Sequence, residues 1–390
     1  MAQNRPAPVQ APPDPKPVAG QMQGPVLFGV LILAAMIIIM AGLRATADII
    51  APVFLVITLV ITVAPLRSLL VRRKVPSVLA SIIALLAIYG LLFIILGSLV
   101  WSIYRLVDKL PDYEVAFQRI LDSLLGLADR VGYGTERLRE LVSSFQFSSL
   151  AAPAQTLLSA LSGGASLLIL IIVMVLFLTF DAPSMKDRLD VIRETRPHIA
   201  EGLGNFAGRV RKYWIVTTIF GAIAAILDVI ALWIIGVPLA LTWGVLAFVT
   251  NYIPNVGFVI GVIPPALIAL LDGGVGAMVA VIIAYSLINV IVQTIIQPRF
   301  TGDAVGISGT VAFVSLIFWA FLLGPLGALV AIPATLFLKS TLLDNSVPAS
   351  WVNALISSDP KKDRPRPPRQ RTRGEQVAAK TAATRPRARP

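Results

Sequence analysis

The 390-residue chain is 56% hydrophobic and only 14% charged, with a mean hydropathy of +0.82 and a net charge of +12. Soluble domains carry about 25% charged residues, so this composition excludes a string of ordinary soluble domains and points to one polytopic membrane domain with appendages. The absence of cysteine and the single histidine, His198, exclude disulfides, thiolate chemistry and a His-based metal cluster.

Residues 1–24 are rich in Pro, Ala and Gln and read as a disordered tail. Val26–Met40 is apolar. It lacks an adjacent basic cluster, and another apolar run follows at once, so it reads as a retained first span and not a cleaved signal. A tight turn over Gly42–Asp48 leads to a second span, Ile49–Ala64, and then to a basic loop holding Arg67, Arg72, Arg73 and Lys74. Val78–Tyr104 is a long third span. Residues 105–155 follow as a polar insert in which Phe117, Ile120, Leu121, Leu124, Ala128 and Val131 form a helical stripe, repeated by Leu138, Leu141, Val142 and Phe145. Ser166–Phe180 belongs to a fourth span that starts near Thr156.

Residues 183–213 read as an amphipathic helix, with Met185, Leu189, Ile192, Ile199, Leu203, Phe206 and Val210 on one face and a kink expected at Pro197. That face suits the underside of the membrane domain or a contact between subunits. Trp214–Ile235 is a fifth span and Val275–Ile296 another complete one. The remaining apolar stretches, Leu241–Leu271 and Gly306–Lys339, are each broken near the middle by Gly, Pro or Asn. Each half is about 15 residues long, where a helical span needs about 20. Broken backbone at membrane depth survives only where protein buries it or where it lines a watery cavity, and a pair of such segments points to a transport site. The expected fold is therefore an all-α polytopic membrane protein, with about six full transmembrane helices plus two broken or re-entrant helical hairpins in residues 25–343.

Residues 344–390 close the chain as a second disordered tail. From Asp359 onward it holds 11 Lys/Arg and three Asp/Glu, most of the protein's excess charge. It has no aromatic or motif support for specific nucleic-acid binding, so its basic character suits solvent and anionic lipid. The loop Arg67–Lys74 is purely positive and should be cytoplasmic. Counting from it places 105–155 outside, with six Lys/Arg against seven Asp/Glu, and 183–213 inside, with seven against four. Both termini fall in the cytoplasm, and the two broken segments enter from opposite faces.

Polar residues inside the apolar regions are the candidates for transport or ion coupling. Asp228 lies mid-span, where an acid costs about 2.5–3.5 kcal/mol on insertion scales. Gly221, Ala224 and Ala225 on its face let a neighbouring helix approach. It reads as a proton- or cation-coupling carboxylate, with an acid that only ties helices together as the competing interpretation. At the first break, Pro254 and Gly257 free or expose backbone groups while Asn251 and Asn255 supply amides. An ordinary turn between two short helices is the alternative there. The second break, Gly324-Pro325-Leu326-Gly327, offers only backbone groups or close packing. Tyr285, Asn289, Gln293 and Gln297 recur every four residues, a polar face that must meet protein or water. Arg299 and Asp303 follow as a candidate mouth. No phosphate loop, nucleophile elbow or metal-ligand cluster is present, so the chain reads as a non-enzyme with no cofactor.

The segments WGVLAFVTNYIPNVGFVIGVIPP (Trp243–Pro265), VQTIIQPRFTGDAVGIS (Val292–Ser308) and GPLGALVAIPATLFLK (Gly324–Lys339) resemble those of the autoinducer-2 exporter family, the PerM-like permeases. The order of elements is similar over about Val26–Leu343. The resemblance implies a multi-pass membrane transporter that exports a small solute or signalling molecule. With no nucleotide-binding domain in the sequence, a secondary exporter driven by an ion gradient is expected, in the cell membrane and as a homo-oligomer. A sodium/proton antiporter or passive channel is the alternative, and a non-transporting membrane scaffold the third reading. Asn255 and Phe258 stand where many members have an aromatic residue and a proline.

Overall fold

A computed structural model describes residues 24–131, 165–253, 256–297, 300, 306–344 and 350–356. Both outer tails up to Gln23 and beyond Ile356, the Leu138–Phe145 stripe, the expected start near Thr156, and Pro254, Asn255, Arg299 and Asp303 lie outside these residues. Every regular element among the described residues is helical, and seven helices are long and apolar enough to cross a membrane. This is an all-α polytopic membrane protein.

Helix α1, Gly24–Ala45, and α2, Ala47–Arg72, are separated by Thr46 alone, a sharper corner than the expected Gly42–Asp48 turn. Arg67 and Arg72 belong to α2 and not to a loop; the turn proper is Arg73–Pro76, with Lys74 in the left-handed region at φ 66°. Arg67 is tied across this corner, donating to Ser81 Oγ at 2.9 Å and Ser77 Oγ at 2.7 Å, both at the start of α3, Ser77–Lys109. Helix α4, Glu114–Val131, is the described part of the insert, and Tyr113 just before it packs with the bundle core near Leu271.

Helix α5, Ala165–Asp181, ends where Arg188 reaches back to both oxygens of Asp181 from α6, Met185–Thr195. The expected kink at Pro197 is a full break. Arg196 leaves the helical region (φ −139°, ψ 69°), and Pro197 takes the first position of α7, Pro197–Ile235, where its missing N–H costs nothing. At 39 residues, α7 is about 58 Å long, nearly twice the apolar thickness of a bilayer. Its first half therefore extends beyond the spans, and Gly236 in the left-handed region ends it.

The two broken segments fold back on themselves. Helix α8, Ala240–Thr250, is followed by a turn and by α9, Val256–Ile288, which runs back along it; Gly257 lies against Thr250 and Gly261 against Ala247. Helix α9 itself breaks at Gly274 (φ 77°, ψ −170°), and its second part returns as the span ending in the π-helical stretch Asn289–Ile296. Helix α10, Gly309–Leu338, breaks at Gly324 (φ 69°, ψ −155°), a conformation essentially restricted to glycine. Its legs are joined by Ser315, which donates to Ala331 O at 3.1 Å and also bonds Thr335 Oγ1, and by Trp319 Nε1, which donates to Thr335 Oγ1 at 3.0 Å.

The hairpins point to opposite ends of the bundle. At the turn of the first, Tyr252 packs on Trp214 and bonds Thr218 at 2.9 Å, close to where Arg211 Nε donates to Ile61 O just past the middle of α2. Near the turn of the second, the Phe321 ring lies under the Arg44 guanidinium in the last turn of α1, beside the start of α2. Ile253 and Val256 of the first hairpin pack against the apolar cluster of the second, so the two turns share a core. The chain then re-enters the bundle: Ser308 N donates to Ile356 O of α11, Ser350–Ile356, a short helix within the segment read as a tail.

Candidate functional site

Between α7 and the first hairpin lies a narrow cavity with about 10 Å³ of free space at its centre, room for about one water-sized guest. Helix α7 supplies Ala224 and Asp228, and α8 with its turn supplies Ala247 and Asn251. The first part of α9 supplies Gly257, Phe258 and Gly261, the second Tyr285 and Ile288, and the π-helical stretch Asn289 and Gln293. Five of the sequence candidates thus meet here beside Asp228: Asn251, Gly257, Tyr285, Asn289 and Gln293. Gln297 is not among the residues around the cavity.

Small residues make this convergence possible. A Cβ on Gly257 would stand 1.8 Å from Thr250 O, and one on Gly244 would stand 2.1 Å from Val229 Cγ2. The first glycine lets the hairpin close and the second lets α8 lie against α7. Gly221 and Ala225, on the face of α7 that carries Asp228, receive the same hairpin through Asn251 and Gly244. The π-helical stretch explains how residues every four positions stay on one face. In an α-helix such a row drifts forward around the axis, and the wider π turn takes the drift back.

Asp228 is 5% exposed and Tyr285 3% exposed. Asp228 Oδ1 and the Tyr285 hydroxyl are both buried without a hydrogen-bond partner among the described residues. Buried polar atoms are normally satisfied, so two orphans at one cavity call for a ligand, water or a moving partner. None of the lining residues is cationic, so the carboxylate faces only neutral amides, a phenol and apolar groups. Such a site offers a guest several oxygen acceptors and one potential negative charge.

Sequence reasoning missed a second polar cluster. Lys339, 1% exposed, donates to Asp344 Oδ1 at 2.8 Å, and Arg209 of α7 holds the other carboxylate oxygen and Ser340 Oγ. Lys339 is visible in the sequence as a lysine ending a long apolar run with Asp344 five residues on, but nothing local announces that Asp344 also pairs with Arg209, 135 residues away on another helix.

The architecture and its cavity can be set beside known proteins. A family described as AI-2E family transporter matches residues 33–345. The chain belongs to this family. Among the relatives of this AI-2E chain is the AI-2 transport protein TqsA of Escherichia coli K12, 31% identical over 313 residues, covering 80% of the chain and 91% of the relative. A Haemophilus influenzae protein whose name proposes transport without naming a solute is 32% identical over 316 residues, covering 80% and 90%. YhhT of Escherichia coli K12, named in the same way, is 29% identical over 306 residues, covering 78% and 86%. The matched region contains all seven long apolar helices except the first turns of α1, so this AI-2E protein is a multi-pass membrane transporter.

Proposed function

We propose that the protein is a secondary transporter that exports a small solute or signalling molecule, with the two inverted hairpins forming the pathway and Asp228 coupling movement to an ion gradient. The observation that carries this reading is the orphaned Asp228 carboxylate oxygen in a cavity walled by a broken helix. An unpaired acid at that depth opposes folding, and its retention is best explained by a charge it must exchange. The turn that follows Thr250 and the break at Gly324 supply flexible points that a rigid span lacks, and the opposite directions of the hairpins suit two re-entrant elements that expose one site to each side in turn. The name of TqsA makes AI-2 the first solute to test. The positive cluster at Arg72–Lys74, at the end of α2 and the turn after it, supports a cytoplasmic position for that end, both termini and the first half of α7 in a cell-membrane protein. The exposed apolar side chains Met185, Val191 and Ile199 on α6 and the start of α7 offer a contact for a second copy.

The test is uptake and counterflow of labelled AI-2 in proteoliposomes under imposed pH or sodium gradients, for the natural protein and Asp228→Asn. The variant keeps the shape and cannot change charge. Loss of gradient-driven flux, with facilitated exchange retained or lost, is expected. Unaltered flux with unaltered gradient dependence in the folded variant rejects Asp228 as the coupling group. Sodium or proton movement without any AI-2 flux identifies an antiporter instead.

A further inference from the structure

We propose that the Arg209–Asp344–Lys339 cluster is a releasable latch that fastens the second hairpin to α7. The hairpin is built to move as one body: Ser315, Thr335 and Trp319 bond its two legs together beyond the fold at Gly324. Its second leg ends in the π-helical turn Lys339–Leu343, where Asp344 N donates to Lys339 O at 3.0 Å. Lys339 and Asp344 therefore belong to the hairpin itself, and their 2.8 Å ion pair does not cross its boundary. Arg209 does cross it, from α7 to Asp344 Oδ2 and Ser340 Oγ.

Burial is graded in the direction a latch requires. The side chains of Lys339 and Asp344 are 1% and 10% exposed, while that of Arg209 is 23% exposed. Separation of Arg209 from Asp344 leaves the acid with Lys339, and Arg209 already has a route to water. Breaking the pair within the hairpin would instead involve the two more buried members of the cluster, whose desolvation is expensive. The neutral part of the contact is equally separable. Gly202 of α7 faces Ser340 O so closely that a Cβ would stand 2.6 Å from it. A glycine against a backbone carbonyl seals the joint with no side chain inserted, so the surfaces can part without withdrawing one. π-helical turns recur at functional sites in helices, and this one lies at the boundary that would flex.

The test uses accessibility, so its outcome is independent of which solute is moved. The natural chain has no cysteine. Ser340→Cys places a thiol under the latch, at a position that is fully buried. Ser315→Cys places one between the hairpin legs as a control. Both are labelled with a polar maleimide in purified full-length protein, with and without Arg209→Gln. The expected result is labelling at position 340 about tenfold faster in the Arg209→Gln background, the scale of one lost charge-assisted hydrogen bond, with position 315 unchanged. A second reading needs no cysteine: deuterium exchange across 339–344 should be faster in Arg209→Gln than in the natural protein. An unchanged rate at position 340 overturns the latch. So does an equal rise at both positions, which marks general loosening of the hairpin.

Discussion

At the scale of the residue, the first hairpin depends on one hydrogen atom. Gly257→Ala adds a Cβ that would stand 1.8 Å from Thr250 O and 3.1 Å from Asn251 N, both backbone atoms that cannot swing aside. The hairpin must then splay at its turn. The expected outcome is destabilisation of about 1–3 kcal/mol, the usual cost of overpacking, measured as a lower midpoint of thermal unfolding in detergent. Tyr285 and Asn289 should become more exposed at the same time, because the cavity shares that wall. Gly257 and Asp228 were legible in the sequence for chemical reasons: a glycine three residues after a proline, and a lone acid in an apolar span. Arg209, Lys339 and Asp344 were not. Each lies at the margin of an apolar run, where a charged side chain ordinarily snorkels to water. Only the meeting of α7 with the second hairpin turns them inward.

At the scale of the element, glycine and proline made both hairpins readable, and packing made the rest unreadable. The end of α8 at Thr250 and the break at Gly324 go with glycine and proline nearby in the sequence, residues that cannot continue a helix or need not. The two π-helical stretches, Asn289–Ile296 and Lys339–Leu343, contain neither glycine nor proline. Their extra residue per turn is set by what they pack against: Val292 against Val216, Phe220 and Ala224, and Ser340 against Gly202. No local sequence signal carries that. The small polar residues of the second hairpin, Ser315 and Thr335, also went unread, since a hydroxyl inside an apolar helix normally bonds its own backbone. Here Thr335 serves the opposite leg. Thr335→Val keeps the volume and removes the acceptor for Trp319 Nε1 and the partner of Ser315, while Ser315 retains Ala331 O. One buried indole donor is stranded, at a cost of about 1–3 kcal/mol. The measurable consequence is a lower unfolding midpoint, together with faster maleimide labelling of a cysteine at position 315. In the intact hairpin that position stays slow even when the latch is released.

At the scale of the whole molecule, α7 is the member that connects everything. One helix carries Asp228 at the cavity, Tyr213 and Trp214 under the turn of the first hairpin, and Arg209 and Gly202 against the end of the second. A shift of α7 along its axis would be felt at all three. This arrangement decides where the chain can be shortened. Composition alone suggests that everything beyond Leu343 is dispensable, since the segment is polar and basic. The contacts draw the line later. Asp344 is the carboxylate shared by Lys339 and Arg209, and Ile356 O accepts from Ser308 N at 3.0 Å, fixing α11 beside the start of the second hairpin. Ser308 is also the N-cap of α10, its hydroxyl accepting from Val311 N at 3.3 Å, so α11 steadies the entry to that hairpin. A chain ended after Ser358 should insert and unfold like the full protein. A chain ended after Leu343 loses the shared acid and the α11 contact together. Breaking a buried ion pair by removing one partner costs about 3–5 kcal/mol. The shorter chain should therefore show a clearly lower unfolding midpoint and rapid deuterium exchange over 339–343. Equal midpoints for the two truncations would mean that the carboxylate contributes nothing net to holding the second hairpin in place.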